Sequence, residues 1–337
     1  MSKPKRPAVH LHELTSGQNG DFFALLVERN RNITRDNKPF YSCRFKDDKR
    51  TVTLMVWSDS PWFEDCEQEW KDGQFYKIRG TFQEHKQYGL QIEINNIREV
   101  TEEDKKDGFD PRDFTDSSRF DAETMYAELL ELAESHIKNE PLRKLTVTIL
   151  DRHQEPLKHL PATEKRFYPF LGGLLEHTLS VTRNCIFLAE KYSQLYSELK
   201  PPLNTDLIVA GAMLHDIGRI PEMELEGVAV EPTVPGRLFG HLFLGRDLVR
   251  DTARELGDVN PELVQMLEHI VISHISLPEW GSPRLPLLPE VVILHHADDL
   301  DAKMEMYARC LTRDDSDGPF TARDPYLGRQ LLKGRQV

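Results

Sequence analysis

MLHDIGRI, residues 213–220, sets a His-Asp pair between apolar neighbours, Leu214 and Ile217. The pair ends the segment NTDLIVAGAMLHDIG (204–218), whose apolar run, with Asn204 or Thr205 as a cap and Gly218 as a stop, predicts a buried helix. Adjacent helical residues point about 100° apart, so His215 and Asp216 reach one ion only where the helix meets a cleft. A carboxylate near the core costs several kcal/mol unless a positive charge meets it there.

Flanking segments repeat the conflict. His177 in GGLLEHTLS (172–180) lies on the apolar stripe of Val181 and Cys185, and His274 follows Leu263, Leu267 and Ile270 at helical spacing. Asp298 in ILHHADDLDAK (293–303) is four residues from both Leu294 and Ala302, and His241 in FGHLFLG (239–245) comes early in its helix. One divalent cation would compensate His177, His215, Asp216 and Asp298 together, with His241 and His274 as further candidates. His136, His153, His159, His269, His295 and His296 read as ordinary hydrogen-bonded histidines. Apolar residues recur three or four apart from Arg119 onwards, so residues 119–337 are expected to form an all-α domain.

Ahead of that domain the period changes. FFALLVERNRNIT, PFYSCRFKD, RTVTLMVWS and the long stretch QFYKIRGTFQEHKQYGLQIEINNIREV supply five strands, with a helix-capable insert, SPWFEDCEQEWKDG, before the fourth. Five short strands and one small helix predict an all-β barrel of the oligonucleotide/oligosaccharide-binding (OB) type over residues 1–100. TEEDKKDGFDPRDFTDSS, residues 101–118, reads as a linker. Aromatic and basic residues interleave in the barrel, and Arg44, Lys46, Arg50, Trp57, Phe82 and Tyr88 are the expected contacts for stacked bases and phosphates. Residues 1–100 carry 16 Lys and Arg against 15 Asp and Glu, a net +1, so the remainder carries −14 towards the total of −13, and the two parts are suited to different partners.

With 39% hydrophobic and 29% charged residues over 337 positions, collagen-like, disulfide-stapled and disordered chains are excluded. Cys43, Cys66, Cys185 and Cys310 form no CxxC pair, which argues against a thiolate metal site. No run approaches the ~20 apolar residues of a membrane helix, and the basic start MSKPKRPAVHLHEL has no apolar stretch behind it. A cytoplasmic location is expected, with no membrane and no protein partner.

GGLLEHT, LHDIGR, GHLFLG and ILHHADDLDAK, in that order, resemble the HD superfamily of metal-dependent phosphohydrolases. With the barrel, LPATEKR (160–166), the Glu279–Pro283 element and GPFTARDPYLGRQLL (318–332), nearly the whole chain resembles the YhaM-type 3′-to-5′ exoribonucleases. The resemblance implies trimming of single-stranded RNA or DNA from its 3′ end with a divalent ion, Mn²⁺ foremost, with Mg²⁺, Co²⁺ and Fe²⁺ as alternatives. It makes His177, His215, Asp216 and Asp298 the core ligands, places His241 and His274 at a second site, and gives Asp216 and Arg219 catalytic roles. The chain departs from such relatives at Phe167-Tyr168, where they have a His pair, at Ile275, where they have a second His after His274, and at Arg219, where they have Lys. The two other readings are a phosphohydrolase of small nucleotides and a catalytically weakened nucleic-acid-binding regulator.

Overall fold

The computed structural model describes residues 8–34, 36–47, 49–85, 89–226, 229–314 and 316–334, so Tyr88 lies outside the described residues. The chain divides into two compact units, 1–115 and 116–337.

In the first unit, β1 (Asn19–Ile33), β2 (Pro39–Lys46), β3 (Thr51–Trp57), α1 (Phe63–Gln68), β4 (Phe75–His85) and β5 (Gly89–Glu99) follow one another. The strands close into a barrel in the order β1-β2-β3-β5-β4. β1 is long enough to pair antiparallel with β4 through its first half and with β2 through its second, bending at a bulge between Leu26 and Glu28. The seam closes on a parallel contact between β3 and β5 at Thr53 and Gln91. This is the OB arrangement, with its small helix between the third and fourth strands. Strand periodicity sorts the side chains: Tyr41, Cys43 and Phe45 point into the core while Ser42, Arg44 and Lys46 do not.

The stretch expected to be a linker is ordered over most of its length. Short 3₁₀ turns at Glu102–Asp107 and Pro111–Phe114 lay Phe109 and Phe114 against Phe23 and Phe75. Asp104, buried, is gripped by Lys77 (3.0 Å) and Arg98 (2.6 Å) of the barrel. The charges of this stretch look solvated in sequence because their partners are 6 to 30 residues away.

The second unit comprises α2 (Ala122–His136), α3 (Glu140–Arg152), α4 (Gln154–His159), α5 (Gly173–Leu195), α6 (Thr205–Leu214), α7 (Arg219–Glu222), α8 (Val234–Leu256), α9 (Pro261–Ser273) and α10 (Pro289–Arg313). α6 is the central helix, touching α2, α3, α5, α9 and α10. Every residue from Leu207 to Leu214 is buried, as an apolar run without a polar face requires. Asn204 caps it, its side chain accepting from the Leu207 N–H at 3.0 Å. Among the described residues this unit also carries an antiparallel strand pair, β6 (Met223–Glu226) with β7 (Ala229–Pro232), which the helical expectation did not include. No helix among the described residues is long and apolar enough to cross a membrane.

Candidate metal centre

Five helices deliver one ligand-bearing end each to a common point. His177 lies in the second turn of α5, His215 caps the carboxyl end of α6 with Asp216 in the turn beyond, and His274 caps α9. His241 follows the break in α8 at Gly240, and Asp298 sits in the third turn of α10. The expected stop at Gly218 is corrected: α6 ends at Leu214, and Gly218 has an ordinary helical φ of −67°. Its glycine answers a different need, since a Cβ there would come within 1.9 Å of the His241 carbonyl oxygen. That close approach lets α8 bring His241 to Asp216.

The donor atoms face one another. His177 Nε2 is 3.1 Å from Asp298 Oδ1 and 3.3 Å from His215 Nε2, and His215 Nε2 is 3.9 Å from Asp216 Oδ2. The other oxygen, Asp216 Oδ1, is 3.4 Å from His241 Nε2 and 3.7 Å from His274 Nε2. His177, His215 and Asp298 form one possible ion cage and His215, Asp216 and His274 another, each with ligand atoms within 4.8 Å of one another. The two cages share His215.

The imidazoles are held for this by their far nitrogens. His215 Nδ1 meets the Ala212 carbonyl at 2.8 Å and His274 Nδ1 the Val271 carbonyl at 2.8 Å, so each donates its Nδ1 proton there and turns Nε2 towards the common point. His177 Nδ1 meets Asp301 Oδ2 at 2.9 Å, and Asp301 in turn accepts from the Ser180 hydroxyl. His241 is fixed by Glu222, which accepts its backbone N–H at 2.9 Å and lies 3.4 Å from Nδ1. Asp301 and Glu222 escaped the sequence reading. The available signal was spacing alone: Asp301 is one turn beyond Asp298 on the same face, and Glu222 one turn beyond Arg219.

Electrostatics mark where positive charge belongs. Burial opposes charge on both Asp216 and Asp298, yet both stay ionised below the usual carboxylate range, held first by the Arg219 guanidinium at Asp216 and by His177 at Asp298. Burial also opposes a charge on His177, but Asp298 and Asp301 outweigh it and push the ring up to about 10. A proton thus stands in for a cation between His177 and Asp298. Burial above all lowers His274 to about 4, which leaves it in the neutral form a ligand needs.

These residues fit a divalent ion. Asp216 Oδ1 and His241 Nε2 are buried without a hydrogen-bond partner, a costly state for both that a shared ion would relieve. Imidazole and carboxylate donors suit Mn²⁺, Fe²⁺, Co²⁺ or Zn²⁺. Arg219 joins the site from α7, its Nη1 2.8 Å from Glu222 and its buried Nε 3.5 Å from Asp216 Oδ1, without a hydrogen-bond partner. Phe167 and Tyr168 wall His177 with their rings, at centroid distances of 5.1 and 5.3 Å, and Ile275 lines the cavity. That cavity holds about 210 Å³, and Trp280 and Lys303 also line it.

On the barrel the expected contacts separate. Arg44 and Lys46 lie on β2 and Trp57 on β3, all directed away from the core, Arg44 beside Thr53, Lys46 beside Thr51 and Trp57 beside Phe40, ring to ring at 4.9 Å. Trp57 is 46% exposed and borders a groove of about 710 Å³ that also takes in Met55, Trp62 and Gln91. Phe82 and Arg50 are corrected. Phe82 is buried in the barrel core, Arg50 packs over its ring at 4.5 Å, and the Arg50 guanidinium is taken up by the carbonyls of Leu11 and Leu14. A ring closed off from solvent has no face for a base, and a guanidinium tied to the amino-terminal turn is structural.

By fold the chain is similar, over 28% of its length, to two solved structures from Methanococcus maripaludis. One is the solution structure of the second OB-fold domain of replication protein A (20% identity, 96% of that chain, TM-score 0.22). The other is a crystal structure of a domain of replication protein A (22% identity, 94% of that chain, TM-score 0.23). Residues 174–303 match the HD domain family. The segment that brings together His177, His215, Asp216, His241, His274 and Asp298 is therefore an HD domain, a type of domain typical of metal-dependent phosphohydrolases.

Proposed function

We propose that this protein is a metal-dependent phosphodiesterase that shortens single-stranded nucleic acid, RNA foremost, from its 3′ end, with Mn²⁺ as its ion. The observation that carries the reading is the convergence of four imidazoles and two carboxylates, with the buried Asp216 Oδ1 left without a hydrogen-bond partner, in a chain that also has an OB barrel with Trp57, Arg44 and Lys46 on its outer surface. A mononucleotide needs no such platform, whereas a strand is gripped by stacking and phosphate contacts.

His177, His215, Asp216 and Asp298 would hold the ion, and His241 and His274 would serve a second, weaker one. Once held, a divalent ion supplies an activated water and charge neutralisation at a phosphoryl oxygen. Asp301 and the Ala212 carbonyl keep His177 and His215 turned inward. Glu222 fixes the far side of Arg219, whose Nε faces Asp216 Oδ1 at 3.5 Å, so that a permanent positive charge lies beside the ion ligands where it would favour a phosphoryl oxygen. Phe167 and Tyr168 exclude water from the inner side of His177.

The test uses 3′- and 5′-labelled single strands with Mn²⁺ or Mg²⁺. Stepwise shortening of the 5′-labelled strand, mononucleotide release from the 3′ label, and loss of both in Asp216→Ala at unchanged helical content are expected. Parent-rate hydrolysis by Asp216→Ala would remove this centre from the chemistry. Turnover of mononucleotides alone would move the assignment to small nucleotides.

A further inference from the structure

The Glu279–Pro283 element plays no part in ion binding, yet it shapes one wall of the cavity. A tight turn runs from Ser276, at φ 65°, to Gly281, at φ 99°, a conformation that favours glycine. It is closed by N–H bonds from Trp280 and Ser282 to the Leu277 carbonyl and from Gly281 to that of Pro278. Ser282 is buried and its hydroxyl donates to the Arg284 carbonyl at 2.6 Å. This rigid turn presents Trp280, 53% exposed, to the cavity that contains Asp216, His274 and Asp298.

Apolar rings of this size are ordinarily buried. Trp280 is instead flanked by the Lys303 ammonium, 5.7 Å from its ring centroid, and by His295, at 6.1 Å. His295 donates to the His274 carbonyl at 2.8 Å, so a single residue ties the ring to a ligand of the ion site. The cavity, at about 210 Å³, is smaller than the roughly 300–1,000 Å³ that encloses a drug-sized ligand. A nucleotide with its phosphate at the ions must therefore leave its base at the rim.

We propose that Trp280 is the platform on which the terminal base of a single strand stacks while its phosphodiester lies at the ion site. This rests on the reading of the centre as a phosphodiesterase acting at a strand end. Base-on-indole stacking tolerates any sequence, as successive removal of nucleotides demands.

The test compares the full-length parent, Trp280→Ala and Trp280→Phe on a 5′-labelled tetranucleotide and on the same strand ending in a 3′ abasic residue. With Mn²⁺, Trp280→Ala should raise KM on the intact strand roughly five- to hundredfold. The turnover number should stay within about threefold, since the contact serves substrate and transition state alike. Trp280→Phe should recover most of the loss, and on the abasic strand parent and Trp280→Ala should coincide. A strand whose terminal linkage is an uncleavable methylphosphonate gives the same comparison as Kd, by anisotropy of the label. Equal KM and Kd for parent and Trp280→Ala on the intact strands, or equal losses on intact and abasic ones, overturns the proposal. If the parent trims nothing while the Kd difference persists, the exonuclease reading falls and the platform stands.

Discussion

His177 is the residue in which the chemistry of the centre is most visible, because its two nitrogens face two different carboxylates, Asp298 at 3.1 Å and Asp301 at 2.9 Å. Its raised pKa means that the metal-free protein carries a proton at neutral pH where the ion belongs. Mn²⁺ uptake at pH 7 should therefore release a proton, measurable in weak buffer, and affinity should climb as pH rises towards about 10; uptake without proton release would contradict this. Asp301→Asn keeps every ligand but loosens the ring, and should weaken Mn²⁺ binding about 10- to 100-fold in a titration of the stripped protein. Ile275 lines the cavity but offers no lone pair. One tightly held ion and at most one weak one are expected, and Ile275→His should raise occupancy or activity at limiting Mn²⁺. Two stoichiometric ions surviving dialysis of the parent against chelator would show that His241 and His274 suffice without it.

At the scale of elements, the meeting of α7 with α8 and the seating of the 3₁₀ turn on the barrel carry the most specific demands. Gly218→Ala would drive a methyl group into the His241 carbonyl, and such overpacking costs about 1–3 kcal/mol. Since the backbone that moves also carries His241, both the melting temperature and the affinity for the weaker ion should fall; an unchanged melting temperature would show that the two helices part freely. Asp104 tethers its turn to β4 and β5, and Arg98 first, then the Thr101 backbone and Lys77, hold its carboxyl well below the usual range against the effect of burial. A depressed carboxylate adds stability that is complete above its unfolded pKa near 3.8 and is lost as pH falls below it. Asp104→Asn should thus cost about 1–3 kcal/mol at pH 7, and the gap between parent and variant in urea unfolding should narrow at pH 3. A gap independent of pH would assign the loss to packing instead.

For the whole molecule the question is what each unit contributes, since each has a hydrophobic core of its own. A fragment covering 116–337 keeps all the ion-site residues and should hydrolyse a dinucleotide at close to the intact rate. On longer strands it should show a higher KM and a flatter salt dependence, because stacking worth ~1–3 kcal/mol per base and counterion-releasing contacts at Arg44 and Lys46 are gone. Steady-state kinetics at two salt concentrations on short and long strands measure this. An unchanged KM and salt slope on long strands would take nucleic-acid binding away from the barrel.

Residue type and spacing along the chain were enough to separate a five-stranded barrel from a helical unit and to single out His177, His215, Asp216, His241, His274 and Asp298, because periodicity and ligand chemistry are properties of short segments. The sequence could not tell Phe82 from Trp57, since alternation sorts side chains into two faces without saying which one closure turns inward. Nor could it find Asp301, Glu222 or the Asp104 tether, whose meaning depends on partners that other elements supply. Gly218 looked like a helix stop and is a point of contact. Such distinctions arise when elements pack, where a difference of one methyl group or one hydrogen bond fixes what each side chain is able to touch.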